Sequence, residues 1–268
     1  MTKTIFITGA SSGLGRATTQ LFAERGWTVL AGVRAGSESA SQLSNLAGVK
    51  LLSLDVTQPE QIARAADEAL AYGPVDLVFA NAGYALGGPL EVASDDQIAR
   101  QIETNLLGPI RTVKAFLPRL REQGHGGFLV TASTAGYVGM PLISLYAATK
   151  FGLVGWAESL AYELPEGLFI KLIVPGSMKT NFLHAADRSS HPAYADLTAK
   201  TDAFYAVASD SAEDGRPDIV AEEVWKAATD GKRQVAYFVT EEARQTCAAR
   251  ETLGAEGFRA QIRQMLGL

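Results

Sequence analysis

The chain has a single cysteine in 268 residues, Cys247, so no internal disulfide can brace it. That fits a reducing compartment, and Cys247 reads as an unreactive helix residue. There are three histidines, His125, His184 and His191, isolated from one another, and nothing in their spacing gives a metal site. Positive charge is not in excess. The net charge of −5 removes any global attraction to nucleic acid or to an anionic membrane. No run approaches the roughly 20 apolar residues that a membrane span needs. The opening MTKTIFITGASSG has too short an apolar run for a signal peptide. These lacks lead to the expectation of a cytoplasmic chain with neither a nucleic-acid nor a membrane partner. Internal repeats and low-complexity tracts are lacking too. What is there is an ordinary balance, 47% hydrophobic and 20% charged, enough for a large core and compatible with one domain over residues 1–268.

Apolar, β-branched runs alternate with helical patterns. Residues 3–8, 27–34, 49–56, 75–83, 126–133 and 168–176 read as strands. A stretch closing at Gly26, then 38–47, 58–73, 94–122 and 144–164, read as helices, with Pro59 tolerated in a first turn. Strands apolar on both faces and alternating with helices predict an α/β fold. The expected form is a single-domain doubly wound (Rossmann) parallel sheet with helices on both faces. Such sheets bind ligands beyond the carboxyl ends of their strands. Gly9–Gly15, Arg34, Asp55, Asn81, Ser133 and Pro175–Thr180 all fall at or just past such ends, and Tyr146 begins the helix after one.

TGASSGLG, residues 8–15, joins the first strand to the first helix. Gly9 permits a tight turn. Gly13 and Gly15 let backbone and helix approach a pyrophosphate, where the helix N-terminus offers amide donors. Gly9, Ser11, Ser12, Gly13, Leu14 and Gly15 are the candidate contacts. The same letters fit the GxSxG nucleophile elbow with Ser11 as nucleophile. That reading needs a later acid and histidine, and no distinctive motif surrounds His125, His184 or His191. A purely structural glycine turn is the other alternative.

Tyr146 and Lys150 lie one helical turn apart, a rise of about 6 Å on one face. An ammonium beside a phenol is expected to lower the phenol's pKa and make it a usable acid or base. Alone, YxxxK means little; a surface Tyr–Lys pair and a strand-end serine are the bland readings. With TGASSGLG, NAG at 81–83, Ser133, Tyr146 and Lys150 in this order, the chain resembles the short-chain dehydrogenase/reductase family over residues 3–180. The thirteen-residue gap from Ser133 to Tyr146 matches that family, and PGSMKT at 175–180 resembles its PGxxxT segment. Ala80 stands where the family often has asparagine. Softer likenesses, GVRAG and the NLLGP helix, are to steroid- and retinol-type members.

The resemblance implies hydride transfer between a nicotinamide cofactor and a carbonyl or alcohol. Tyr146 is then general acid/base, and Ser133 holds the substrate oxygen. Lys150 supplies positive charge and holds the nicotinamide ribose. Asn105 anchors a water in a proton relay. Asp55 with Val56, then Asn81, Ala82, Gly83, Pro175, Gly176 and Thr180, with Tyr146 and Lys150 again, complete the cofactor contacts. Asn105 has a further reading from the residues. Pro109 lacks the N–H that would bond a carbonyl four residues back, so the Asn105 carbonyl is released from the helix ladder. A plain kink with a packing role is the competing reading. The second strand ends at Val33 and Arg34 with no carboxylate, and a guanidinium can pair with a 2′-phosphate, so NADP(H) is preferred over NAD(H). Arg16 reads as a helix-surface charge.

The substrate wall is expected from Ala135–Leu142, the turn after Pro175, and residues 181–216. That last stretch is long for a bare loop and predicts a lid carrying a helix. Its Phe182, Tyr194, Phe204 and Tyr205 line an apolar pocket or hold the lid's own core; both readings stand. Residues 241–268 predict a helical tail interrupted at Gly254, covering an apolar surface or another subunit. The resemblance implies a homodimer or homotetramer. Two other classes stay in view: a catalytically silent NADP(H)-binding regulator, and the epimerase or dehydratase group that also uses Tyr–Lys.

Overall fold

The computed structural model describes residues 2–36, 40–180, 182 and 186–268. Seven strands form one parallel sheet: β1 (Thr4–Thr8), β2 (Thr28–Val33), β3 (Val49–Ser53), β4 (Leu77–Ala80), β6 (Gly126–Thr131), β7 (Leu168–Val174) and β9 (Ala236–Phe238). Their order across the sheet is β3-β2-β1-β4-β6-β7-β9. The order reverses at β1, so β2 and β4 flank it, with Phe6 beside Leu30 on one side and Val78 on the other. This is the expected single-domain doubly wound sheet, and the crevice at the switch point is where such sheets hold ligands. Two further strands, β5 (Leu86–Gly87) and β8 (Asp187–Arg188), pair with each other in a separate parallel ribbon. Sequence reading missed it, because two-residue strands carry no periodicity.

The inner strands are buried on both faces because each face is covered, while the edge strands β3 and β9 are partly exposed. On one side Phe6, Leu30, Val78 and Phe128 pack with Ala65, Val113, Phe116, Leu153 and Ala157. These last belong to helices α3 (Pro59–Ala71), α5 (Gly108–Gln123) and α6 (Ser144–Glu163). On the other side Ile5, Ile7, Val29 and Phe79 meet Leu14, Phe22 and Val224, carried by α1 (Gly13–Glu24) and α8 (Pro217–Thr229). The helix predicted at 38–47 is the single turn α2 (Ala40–Leu43). Predicted strand ends overran by a few residues, since strand pairing stops before the apolar letters do.

The stretch 94–122 is not one kinked helix. It runs as α4 (Asp95–Ile102), a π-turn over Glu103–Leu107, and α5. In the π-turn the Gly108 N–H donates to the Glu103 carbonyl, five residues back. The extra residue sits just ahead of Pro109, which enters α5 in its first turn where no N–H is required. Helix α6 stops at Leu164, whose extended ψ of 135° follows from Pro165 next to it. The stretch 181–216 carries α7 (Ala195–Ser211), and the tail is α9 (Glu241–Leu266), broken at Gly254 by φ 68°, ψ 179°.

Candidate active site

A cleft of about 1810 Å³ runs along the carboxyl ends of the strands. Of the residues expected from sequence, Gly9, Ser11, Ser12, Gly13, Leu14, Arg34, Asp55, Val56, Asn81, Ala82, Gly83, Ser133, Tyr146, Lys150, Pro175, Gly176 and Thr180 line it. Gly15 and Asn105 do not.

Gly15 has a different duty from the one expected. A Cβ there would stand 2.2 Å from the Gly9 carbonyl oxygen and 2.6 Å from Asn81 Nδ2. Its lack of side chain lets helix α1 seat against its own entry turn, not against a ligand. Gly9 does carry the turn, with φ 66° and with Ala82 Cα 2.9 Å from where a Cβ would be. Thr8, unremarked in the sequence, braces this corner: its hydroxyl accepts the N–H groups of Asn81 and Ala82, both at 3.0 Å. The Asn81 amide reaches the Thr8 carbonyl at 3.2 Å and accepts the Thr131 hydroxyl at 3.0 Å. Asn81 thus ties β1, β4 and β6 together beneath the cleft floor.

Asn105 is fully buried. Its Oδ1 accepts the Tyr84 N–H at 3.0 Å and its Nδ2 donates to the Tyr84 carbonyl at 2.8 Å. The side chain therefore clamps the loop after β4, and only its main chain is left for any water relay.

At the centre, Ser133, Tyr146 and Lys150 are each almost wholly buried. Ser133 Oγ accepts the Ala135 N–H at 3.1 Å, which fixes it at the start of the 3-10 turn Thr134–Gly136. The Tyr146 hydroxyl lies near enough to Ser133 for that residue to favour its phenolate. Lys150 Nζ donates to the Thr131 carbonyl at 2.7 Å and lies 5.7 Å from the Tyr146 ring centre. Burial pushes the Tyr146 phenol up to about 12, against the lowering influence of Ser133. Burial also draws Lys150 down to about 7. The sequence expectation of a phenol lowered by its lysine is thus overturned for the protein alone: desolvation favours the neutral form of both groups and outweighs their proximity. A phenol held protonated is suited to donating a proton to a carbonyl oxygen.

At one end of the cleft, Arg34 is exposed after β2, and Arg16 joins it. Arg16 is not a plain surface charge; its guanidinium donates to Gln42 Oε1 at 2.6 Å and faces the cleft. Asp55 commits Oδ1 to the Thr57 N–H and hydroxyl, at 2.9 and 2.8 Å, shaping the turn after β3.

The other end is apolar. Ala135, Val138, Met140 and Leu142 line it as expected. Phe182 packs edge-on to Tyr146, with ring centres 6.0 Å apart, and Phe204 and Tyr205 join from α7. Tyr194 does not reach the cleft; its ring meets His191. His184 lies outside the described residues. The tail covers an apolar surface, one of its two expected roles, and in doing so also lines the cleft, which the sequence did not suggest. Phe258 and Ile262 on α9 pack against Val138, Tyr137, Met140 and Phe204, and line the cleft with Met265. Helix α9 is docked by two side chains near its start. Thr240 accepts the Gly176 N–H at 3.0 Å, and Glu242 accepts the Ser177 N–H at 2.7 Å. A Cβ on Gly176 would stand 2.8 Å from Glu242 Oε2, so a side chain there would have to displace this docking carboxylate.

The family model for short chain dehydrogenase matches residues 3–190. A 3-ketodihydrosphingosine reductase of Bacteroides thetaiotaomicron is 35% identical over 180 residues, 66% of this chain and 65% of that protein. The human 17-beta-hydroxysteroid dehydrogenase type 1 is 35% identical over 206 residues, 72% of this chain and 61% of that protein. The aligned part thus spans less than two thirds of either relative's length. Among solved structures, a short-chain dehydrogenase from Streptomyces avermitilis superposes with TM-score 0.84 at 29% identity, covering 98% of this chain and 95% of the other. One from Burkholderia phymatum in complex with NAD gives 0.82 at 27% identity, covering 97% and 95%. An alcohol dehydrogenase from Thermococcus sibiricus complexed with 5-hydroxy-NADP gives 0.72 at 28%, covering 90% and 97%. The chain belongs to the short-chain dehydrogenase/reductase family of oxidoreductases, which bind nicotinamide cofactors and act on small molecules.

Proposed function

We propose that the protein is an NADP(H)-dependent oxidoreductase interconverting a carbonyl and an alcohol, with Tyr146 as general acid/base. The observation that carries this is the buried Ser133–Tyr146–Lys150 cluster, set in a cleft that begins at the Gly9–Gly13 turn. The positive-φ glycines 9 and 13 and the N-terminus of α1 fit a pyrophosphate, and the cleft has room for a dinucleotide. When bound, the nicotinamide supplies or accepts the hydride.

The chain's own residues do the rest. In reduction Tyr146 Oη gives its proton to the carbonyl oxygen, while Ser133 Oγ holds that oxygen and stabilises its developing charge. Lys150, anchored on Thr131, takes the nicotinamide ribose and resupplies the proton. The Asn105 main-chain carbonyl, ahead of Pro109 and inside the π-turn, anchors the relay water. In oxidation Tyr146 must work as phenolate, and its raised pKa makes that direction the more demanding for these residues. Arg34, with Arg16 behind it, pairs with a 2′-phosphate, and the end of β2 has no carboxylate to favour the NAD(H) ribose. Asp55 and Val56 bound the adenine. Pro175, Gly176 and Thr180 hold the nicotinamide half.

The stretch 181–216 serves as the substrate lid and 241–268 as a fixed wall. Among the described residues no helix is long and apolar enough to cross a membrane. We propose a cytoplasmic homodimer or homotetramer joined through α5 and α6, the latter exposing Phe151 and Tyr162. An absorbance screen for NADPH oxidation with aldehydes, ketones and quinones tests the reading. NADPH binding without turnover across that panel would favour the silent regulator.

A further inference from the structure

The apolar end of the cleft contains two polar groups that the proposed chemistry does not use. Thr201 and Tyr205 lie four residues apart on α7, so their side chains share one face of the helix. Both line the cleft. Thr201 is 3% exposed. The hydroxyls of both are shut off from solvent and find no hydrogen-bond partner among the described residues. Tyr84, another tyrosine of the cleft, also has a buried hydroxyl without a partner among the described residues, but it has the charged Arg100 nearby and does not lie on α7. Tyr205 stands within electrostatic reach of Tyr146 and Glu242, which, after burial itself, push its phenol up. It therefore faces the cleft and not the outside of the lid. Phe204, Phe258 and Ile262 give the same part of the cleft an apolar wall, with Glu242 and Gln245 also lining it.

Leaving a buried hydroxyl without a partner is unfavourable, and two such groups one turn apart in an apolar wall are unusual. Phenylalanine and valine would fill the same volumes without that cost. We infer that Thr201 and Tyr205 form a hydrogen-bonding subsite for a second oxygen of the substrate. The substrate class is then a bulky apolar carbonyl compound that carries a hydroxyl or further carbonyl away from the reacting centre. This rests on the oxidoreductase reading above and adds the substrate feature to it. The threonine hydroxyl and the phenol each donate and accept, so either oxygen type can be held. A purely hydrocarbon ketone would fill the pocket but leave both hydroxyls unpaired, and would be discriminated against for that reason.

The test compares ketone pairs that differ only in the distal hydroxyl. Suitable pairs are 6-hydroxy-2-tetralone against 2-tetralone, and 4-(4-hydroxycyclohexyl)cyclohexanone against 4-cyclohexylcyclohexanone. The unaltered protein is expected to prefer the hydroxylated member of at least one pair by about 10- to 100-fold in kcat/KM. In Thr201→Val/Tyr205→Phe that preference collapses towards one, while Tm does not fall, because no satisfied hydrogen bond is lost. Equal treatment of both members by the unaltered protein, as when water alone satisfies the hydroxyls, overturns the proposal. So does a preference that survives the double substitution. Failure of the underlying reading looks different: no NADPH oxidation with any ketone. In that event the thermal shift that each ketone gives the NADPH-loaded protein still decides, by the same comparison of pairs and variants.

Discussion

The two ends of the cleft are built on different plans. The end that meets β1 and β2 is shaped mainly by backbone, with Arg34 and Arg16 at its rim. Its shape comes from Gly9, from the brace of Thr8 and Asn81 across three strands, and from amides at the start of α1. The apolar end is made of side chains from segments far apart in the chain: 135–142, α7 and α9. Backbone anchored in a sheet centre moves little and suits a ligand that does not vary. Side chains on peripheral helices change easily without disturbing the sheet, and suit whatever differs between relatives. The Thr240 and Glu242 contacts to Gly176 and Ser177 are where the plans meet, since they tie the tail to the turn after β7.

The sharpest break of that comparison lies between the two ends, at Tyr146. Tyr146→Phe should cut kcat by about 10²–10⁴-fold. Fluorescence titration should show NADPH affinity within a few-fold of the unaltered value. If the affinity collapses as well, the two ends are not separable. Next, Phe258→Ala should open a cavity behind the substrate wall and cost about 3–5 kcal/mol of stability by denaturant titration. Its effect on turnover should fall on substrate KM, leaving nucleotide KM alone. Arg34→Asp probes the opposite end. Losing a charge-assisted pair worth about 1.5–3 kcal/mol should lower the NADPH-over-NADH preference by about 10- to 150-fold. A native preference for NADH would sink the assignment of Arg34.

The smallest effect is a pH slope. The folded pKa of Lys150, about 7, lies below its unfolded value near 10.5, so between those values the unfolded chain binds more protons than the folded one. Stability therefore rises with pH across that window. Tyr146, with a folded value of about 12 against 10.0, opposes this only above pH 10. Tm of the protein without added nucleotide should rise from pH 7 towards 9.5, and Lys150→Met should flatten the rise. An unchanged slope in that variant would place the lysine in a wetter setting than the structure gives it.

The same contrast explains what could be read in advance. Strand–helix alternation, the glycine turn and the Tyr146–Lys150 pair are set by neighbours within a few residues, so their letters carry them. Three things were misjudged for a common reason. Gly15 looked like a ligand contact and proved to be a packing contact with Gly9. Arg16 looked like a helix-surface charge, yet it lines the cleft and donates to Gln42. The phenol looked as if its lysine would lower its pKa, yet burial raises it. Each depends on what lies across the fold, where no spacing rule reaches.

The sequence by itself determined the doubly wound sheet, the line of groups along its carboxyl ends, and the family to which they belong. Tertiary structure alone decided which cleft the tail lines, which glycine packs against the entry turn instead of lining the cleft, and which hydroxyls on α7 are left buried and unpaired. Local propensity and period act over a turn or a strand. Burial, desolvation and pairing are set by atoms that come together only when residues 135–142, α7 and α9 fold against one another.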